Sequence, residues 1–539
     1  MKRILTILLA LVMVATICVF AASCGGETTP ETKATTKTET TTNKGENDQP
    51  VVPGGETTNG GDTNTETTSG GDVVTTDGGK ESETTAGTTP GNDFDSWDGK
   101  TKMPGKASVD FGGKTFLIAS STQDQAGDFN NASEIWVESL TNDAINDAVF
   151  ERNQVMSQLY NCTIAVDDGG WENGFNADVS AGGGKYIIGC AEYNWGTSGA
   201  YYNLLNLDID WTQSWWDQNL IRDMSVNNKL YAITGDFGFH NFVTTWIIMY
   251  NKDVYDQNLA SSYDIYQLVR DNKWTIDMML TMSQSVLSDG NGDQAYTTDD
   301  SGDILGTLST VQDPRAMYWG CGERIVDKDE NGKLICALAS TGRGSDVFDK
   351  IRELTTDDSF LEVGYTTVQK ALQGGTTLFG TEVMDVLRRM SDQEGIRVGV
   401  VPHPLFNEQQ ERYYSYVNNQ CPLYLVPTSY KNMQEIADFF TLFAAHSSKI
   451  VRPAFINTYK YSYVSDEESS EMIELILDTR IFDPGYHYGV GSSFEGLIGT
   501  MLSKTGKNQF ASAVRKCTSQ VEDAINNLEI KVNAIDDPV

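Results

Sequence analysis

Three tryptophans crowd into one polar stretch of the sequence, DWTQSWWDQNL, which runs from position 210 to position 220. The rings of Trp211, Trp215 and Trp216 could fill a core or offer a flat face to the C–H surface of a sugar. Neighbouring residues on a helix or strand point in different directions, so the adjacent pair should not face the same way. We expect Trp211 and one of the pair to pack. Trp216 is the preferred ligand contact, because Asp217 beside it could accept a hydrogen bond from a hydroxyl group.

The remaining reactive side chains form no catalytic motif. The sequence contains four histidines and has no HExxH, GxSxG or GxxxxGK[ST] pattern. With 75 acidic residues, close pairs of carboxylates arise by chance, so no glycosidase pair can be singled out. We therefore expect no enzymatic activity and no cofactor.

One acidic loop raises the question of calcium. Asp289, Asn291 and Asp293 have the 1, 3, 5 spacing of an EF-hand loop, and Asp300 falls at position 12. Gln294 stands where that loop needs glycine, and Asp300 is shorter than the usual glutamate. The pattern favours a loop of Asx turns over a calcium site, and we predict no metal.

The elements that must position these side chains alternate between strand and helix. KTFLIAS (114–120) and CTIAV (162–166) read as buried strands, and residues 143–160 between them place apolar side chains on one helical face. Strand, helix and strand in this order predict a parallel α/β unit. Similar periodicity predicts later helices within 433–444 and 469–480.

The N-terminal segment directs the chain out of the cytoplasm. Lys2 and Arg3 precede an apolar run at 4–22, and the small residues before Cys24 resemble a bacterial lipoprotein signal in which that cysteine is lipidated. An uncleaved anchor or simple secretion are the alternatives. We expect a signal peptide at 1–23 and a lipid anchor at Cys24 on the extracellular face of the cell membrane.

Composition then separates a tether from a folded part. Residues 24–106 are rich in Thr, Gly and acidic residues and poor in large apolar ones, which predicts disorder. Residues 107–539 are rich in aromatic and aliphatic residues and are numerous enough for two lobes. We expect this part to be monomeric.

Charge and cysteine usage narrow the partners. The formal net charge of −36 argues against nucleic acid and favours neutral or cationic ligands. Cys321 and Cys336 flank a predicted hairpin with Asn331-Gly332 at its tip, which makes them the first candidates for a disulfide. The pairing of the cysteines stays open at this point.

Several segments, in order, resemble one family of proteins. KLYAITGDFGFHNFVTTWIIMYNKDVYDQN (229–258), ALQGGTTLFGTEVMDVLRRM (371–390) and GIRVGVVPHPLFNEQQERYYSYV (395–417) are similar to extracellular solute-binding proteins of ABC transporters, the branch that includes carbohydrate binders. The resemblance implies an α/β, two-lobe periplasmic-binding-protein-like fold with a hinge and an interlobe cleft. It places lobe 1 at about 107–249 and lobe 2 at about 252–373, each with return segments.

The resemblance also implies where a ligand would lie. Side chains at strand ends and beside the hinge would face the cleft, and aromatic, carboxylate and amide groups suit the recognition of a sugar. For each of them a structural role, in a core or a capped turn, is the alternative. Together with Trp216, the candidate ligand-binding residues are Trp195, Asp236, His240, Asn241, Trp246, Glu382, Tyr416 and Asn418.

The function that follows from the resemblance is that of a lipid-anchored receptor. It would capture a carbohydrate, an oligosaccharide, in the cleft and deliver it to an ABC importer permease in the membrane. A surface-tethered polysaccharide hydrolase, or a protein that adheres to glycans, is the alternative from a different class. The hydrolase would need two carboxylates facing each other across the cleft.

Overall fold

The computed structural model describes residues 94–120, 131–169, 174–191, 199–298, 302–310, 313–391, 397–464 and 466–535. Within these residues, no helix is both long enough and apolar enough to cross a bilayer. The strands are β1 Lys114–Ala119, β2 Cys162–Asp167, β3 Ile188–Ala191, β4 Trp246–Asn251, β5 Leu305–Ser309, β6 Val326–Lys328, β7 Leu334–Cys336, β8 Phe360–Glu362, β9 Thr377–Val383, β10 Val398–Val401, β11 Ser415–Tyr416, β12 Leu423–Leu425 and β13 Arg480–Ile481.

Helices cover the faces of the sheets and form the last part of the chain. They are α1 Ala144–Tyr160, α2 Asn176–Ala181, α3 Gln218–Met224, α4 His240–Val243, α5 Lys252–Asn258, α6 Ile265–Arg270, α7 Ile276–Val286, α8 Asp313–Gly320, α9 Gly344–Thr356, α10 Tyr365–Gly374, α11 Val386–Ser391, α12 Met433–Thr458, α13 Glu467–Asp478, α14 Pro484–His487, α15 Ser492–Leu502 and α16 Phe510–Ala534. A 3-10 turn at Asn131–Glu134 and a π-helical turn at Tyr459–Tyr463 also position the site.

Two sheets define two lobes. The first has the strand order β12-β3-β1-β2, and the second has the order β10-β4-β9-β5-β8. β1 runs parallel to β2 and β3, which confirms the predicted strand, helix and strand unit. In the second sheet β5 is parallel to β8 and β9, whereas β4 is antiparallel to both of its neighbours. The predicted α/β class with two lobes is confirmed.

Helix α1 begins and ends where its sequence dictates. The Asp143 side chain caps its start by accepting hydrogen bonds from the backbone N–H groups of Ile145 (3.1 Å) and Asn146 (2.8 Å). Asn161 ends it in the left-handed region at φ 53°. The helix buries Val149 and Met156 against the first lobe. The cap therefore fixes Asp143 at one end of a well-anchored helix.

The chain crosses between the lobes at places that differ from the prediction. All of β4 belongs to the second sheet, so the chain leaves lobe 1 ahead of Trp246 rather than after about residue 249. It stays in lobe 2 through β9 and β10 instead of leaving it at about residue 373. The outgoing and returning segments lie side by side, since Thr245 pairs antiparallel with Val417. A fully buried strand looks the same in sequence whichever sheet receives it.

Packed structure begins before the predicted end of the tether at residue 106. The Phe94 ring lies 4.6 Å from the Trp215 ring, and the Trp97 ring lies 4.7 Å from His446. The backbone carbonyl of Gly99 lies 2.7 Å from Nδ1 of His446. Two aromatic residues in a polar segment are enough to dock residues 94–106 on lobe 1.

The structure also describes the predicted hairpin, Trp274 and the acidic loop. The hairpin of β6 and β7 forms, with Gly332 at φ 77°, but Cys321 and Cys336 are free thiols. Trp274 is buried, and its indole N–H donates to the carbonyl of Pro402 at 2.8 Å. In the acidic loop, both carboxylate oxygens of Asp289 accept backbone N–H groups, at 2.6 and 2.9 Å, and no group of potential metal ligands occurs among the described residues. Asp300 lies outside them.

Candidate functional site

A cavity of about 310 Å³ lies where elements of both lobes meet. Lobe 1 contributes the segment around Ser133 and the start of α1, and lobe 2 contributes the turn after β9. Helix α4, which leads into the crossing, and the C-terminal end of α12 complete the lining. The volume is at the lower end of the roughly 300–1,000 Å³ that is common for small-molecule sites. The side chains on which the site depends are Asp143, His240, Asp385, Arg388, Tyr459 and Tyr463.

One wall of the cavity is a continuous row of aromatic rings. Phe455 stacks on Phe239 with ring centroids 5.9 Å apart and contacts Tyr459 at 4.5 Å. Tyr459 in turn contacts Tyr463 edge-on at 4.8 Å. The three residues of this row from α12 and its π-helical extension are spaced four apart, so they share one face. Such a wall suits the apolar face of a ligand.

The opposite edge of the cavity, after β9, is charged. Asp385 is buried, and its Oδ1 forms an ion pair with Nε of Arg388 at 3.1 Å. Its other carboxylate oxygen lies 3.5 Å from Nε of Arg389. The backbone N–H of Asp385 donates to the carbonyl of Val243 at 3.1 Å, which ties this turn to α4. Burial alone would lower the pKa of Arg388, but the neighbouring carboxylate outweighs it and the pKa is raised. The result is a fixed acid and a half-exposed guanidinium that can both hydrogen-bond a ligand.

His240 lines the cavity and packs against the buried side chain of Glu134. Its Nδ1 lies 2.9 Å from Oε2 of Glu134, and its backbone N–H donates to the same oxygen at 2.9 Å. The other oxygen of Glu134 accepts a hydrogen bond from the hydroxyl of Tyr424. The glutamate is fully buried, and these contacts fix its side chain beside the imidazole.

A second cavity of about 730 Å³ adjoins the first. The two share Ser133, Val137 and Asn146 in their linings. The second cavity follows the edge of β2 and includes Trp136, whose side chain is 41% exposed. An exposed indole in a concave surface is available to a ligand without any rearrangement.

The structure places Trp216 in the core of lobe 1. Its ring is 1% exposed and lies 5.1 Å from Phe440 and 4.7 Å from Trp211. Its indole N–H donates to the carbonyl of Asp210 at 3.0 Å. The expected ligand face of Trp216 is therefore covered, and Asp217 beside it caps α3 by accepting the N–H of Leu220 at 2.9 Å.

Asp236 and Asn241 are engaged in structural contacts behind α4. Asp236 is buried and pairs with Nε of Arg452 at 2.9 Å, and burial raises the pKa of its carboxyl to about 6. The amide of Asn241 donates to the carbonyl of Gly235 at 3.0 Å, and its side-chain oxygen accepts from Arg480. Of the three polar residues predicted in this segment, only His240 lines the cavity.

Trp246 and Glu382 lie within the second sheet. Trp246 is 2% exposed and pairs with Val383 at the start of β4. The carboxylate of Glu382 accepts hydrogen bonds from Arg389 and from Gln369, the latter at 3.2 Å. Neither lines either cavity. The residue after β9 that lines the interlobe cavity is Asp385, three positions beyond Glu382.

The last candidates lie at the crossing or outside the described residues. Tyr416 is buried and stacks on Trp319 with ring centroids 4.3 Å apart and planes 6° apart. Asn418 donates its backbone N–H to the carbonyl of Thr244 at 3.0 Å and so joins the two crossing segments. Trp195 falls outside the residues that the structure describes.

Comparisons with known proteins bear on the fold. Neither a protein-family model nor a curated protein matches this chain. A cyclic α-maltosyl-1,6-maltose-binding protein from Arthrobacter globiformis has a similar structure, with a TM-score of 0.51 and 13% identity, over 77% of this chain and 99% of that one. A structure described as a de novo designed esterase has a TM-score of 0.50 and 12% identity, over 77% of this chain and 100% of its own. At such identities the likeness establishes the two-lobe fold.

Proposed function

We propose that this chain is an extracellular receptor that binds a carbohydrate between its lobes and delivers it to an ABC importer. The observation that carries the proposal is the cavity at the meeting of the lobes, which joins an aromatic wall to fixed polar groups. The similarity in fold to a protein described as binding a cyclic maltosaccharide supports the ligand class. The permease partner follows from the sequence resemblance.

The lining of the cavity matches what a sugar presents. Tyr459 and Tyr463 offer ring faces to C–H surfaces, whereas Asp385, Arg388 and Asp143 offer acceptors and donors to hydroxyl groups. Because these groups come from both lobes, a bound sugar would favour the arrangement in which the lobes are closed around it.

The same geometry supports binding without catalysis. Asp143 and Asp385 come from opposite lobes, as a glycosidase pair would. However, Asp143 is held by two backbone N–H groups and Asp385 by two arginines. Both carboxylates are thus held in place by partners within the protein, and fixed acceptors of this kind suit the orientation of a ligand's hydroxyl groups.

Localisation belongs to the same proposal. Lipidation of Cys24 would hold the receptor at the extracellular face of the membrane, close to its permease. Membrane fractionation of cells that express the full chain or Cys24→Ser tests this. We expect the variant in the soluble extracellular fraction; membrane retention equal to that of the unaltered chain would contradict the anchor.

Ligand binding is tested by thermal shift and calorimetry on the full chain with neutral tetrasaccharides, amino acids and short peptides. A ligand at 100 times its Kd stabilises the folded state by about 2.7 kcal/mol, which is readily seen. We expect at least one oligosaccharide to raise the melting temperature, and Tyr463→Ala to reduce the rise. Tyr461→Ala is the matched control, since Tyr461 is 70% exposed and does not line the cavity. A response to peptides or amino acids alone would overturn the sugar assignment.

A further inference from the structure

The larger cavity differs from the smaller one in its charge. Its lining contains two carboxylates, Glu138 and Asp168, and no lysine or arginine. Both acidic residues are exposed, and among the described residues neither has an ion-pair partner. The neighbouring Asp167, by contrast, is neutralised by Lys185 at 2.9 Å. The carboxylates at this cavity are thus free to meet a charge brought by a ligand.

The same cavity contains an aromatic face. Trp136 is 41% exposed and follows the 3-10 turn at 131–134, and its backbone N–H donates to the carbonyl of Ala132 at 3.0 Å. The flanking Val137 is shared with the interlobe cavity. An exposed indole in the same cavity as unpaired carboxylates attracts a cation through the ring face and through Coulomb interaction.

From this combination we infer that the larger cavity is a subsite for an ammonium group, so that the solute is a basic, amine-bearing sugar. The inference rests on the proposed function, because the subsite continues the interlobe cavity through Ser133 and Asn146. The sugar ring would lie against Tyr459 and Tyr463, and an adjoining unit would place its ammonium group between Trp136 and the two carboxylates. Thr163 and Asn146 remain for its hydroxyl groups.

Two tetrasaccharides with the same glucosamine backbone, one with free amines and one with those amines acetylated, test the inference. Chitotetraose carries free amines, and its fully N-acetylated form carries none. By calorimetry on the full chain at mildly acidic pH, we expect chitotetraose to bind about tenfold more tightly and its affinity to fall as NaCl is raised. The acetylated form should show little dependence on salt.

Substitutions distinguish the contribution of the ammonium subsite to binding from that of the interlobe cavity. Trp136→Ala and the double variant Glu138→Gln/Asp168→Asn should each weaken chitotetraose about three- to tenfold and leave the acetylated form within twofold. The matched controls are Leu140→Ala and Glu330→Gln. Leu140 is an exposed apolar residue of the same segment that does not line the cavity, and Glu330 is an exposed acidic residue on the β6–β7 hairpin.

The outcomes distinguish the two proposals. Equal affinity for the two tetrasaccharides, or an unchanged preference in the double variant, overturns the ammonium subsite while sugar binding stands. No binding of any saccharide overturns the proposed function. Spermidine binding that is as tight as that of chitotetraose, and is lost in the double variant, supports the ammonium subsite and contradicts a sugar as the solute.

Discussion

The two tryptophan-bearing regions of lobe 1 have opposite environments. In the segment 211–216, Trp216 is covered by Trp211, Phe237 and Phe440. Trp215 is buried against Phe94. In the segment after residue 134, a single Trp136 stays 41% exposed in a cavity. The larger cluster has the structural role, and the isolated ring is the one that a ligand can reach.

The number of aromatic residues in a segment does not identify a binding surface. Large rings that have neighbours bury each other, because each gains from the apolar area that the others remove from water. Trp136, in contrast, stays exposed ahead of the exposed Glu138 and Ser139.

The largest expected effect is on stability, in the covered cluster. Trp216→Ala should lower the free energy of unfolding by about 3–5 kcal/mol, because it leaves a cavity among packed rings. Trp136→Ala should change the free energy by about 0.5 kcal/mol or less, because its ring is exposed. Urea unfolding of both variants checks the contrast. Equal losses in the two would show that the covered and exposed rings do not differ as the structure indicates.

A smaller effect on stability is expected at His446, which packs against Trp97. His446 is buried, and burial lowers its pKa to about 4, below the ordinary value of 6.5. Between these pH values the unfolded chain binds a proton that the folded protein excludes, so stability should fall as the pH drops from about 6.5 to about 4. His446→Gln should reduce that fall by on the order of 3 kcal/mol.

Urea unfolding at several pH values measures this slope. The variant is compared with the unaltered chain through the change with pH, which is independent of any constant loss from the substitution. A slope that His446→Gln leaves unchanged would mean that the imidazole is not excluded from protonation in the folded protein.

The smallest expected effect concerns binding at the aromatic wall. Tyr463→Ala should weaken the tightest-binding saccharide by about 1–2 kcal/mol, and Tyr461→Ala should leave binding unchanged. Neither residue is in the core, so melting temperatures should stay close to that of the unaltered chain. Calorimetry gives the affinities. Equal weakening by both substitutions would place the ligand outside the cavity.

The fold was predictable from the sequence because the local spacing of apolar residues determines where its strands and helices form. β1, α1 and β2 lie where apolar spacing put them, and Asp143 is a cap that the sequence makes visible. The crossing between lobes was misplaced because β4 is buried on both faces, so nothing local distinguishes one sheet from the other.

The site was harder to predict for a physical reason. That Trp216 is covered depends on Phe440, more than two hundred residues later in the chain. The alignment of Tyr459 with Tyr463 depends on a π-helical turn after a long helix that contains Pro453. Among the candidate residues that the structure describes, His240 alone lines the interlobe cavity, and a polar residue beside the crossing is a feature of the local sequence.

A crystal structure of the chain with its tightest-binding saccharide tests the central claim most directly. We expect a sugar ring between Asp385 and the rings of Tyr459 and Tyr463, with Trp211, Trp215 and Trp216 still packed in lobe 1. A saccharide bound against that tryptophan cluster, with the cavity between the lobes unoccupied, would contradict it.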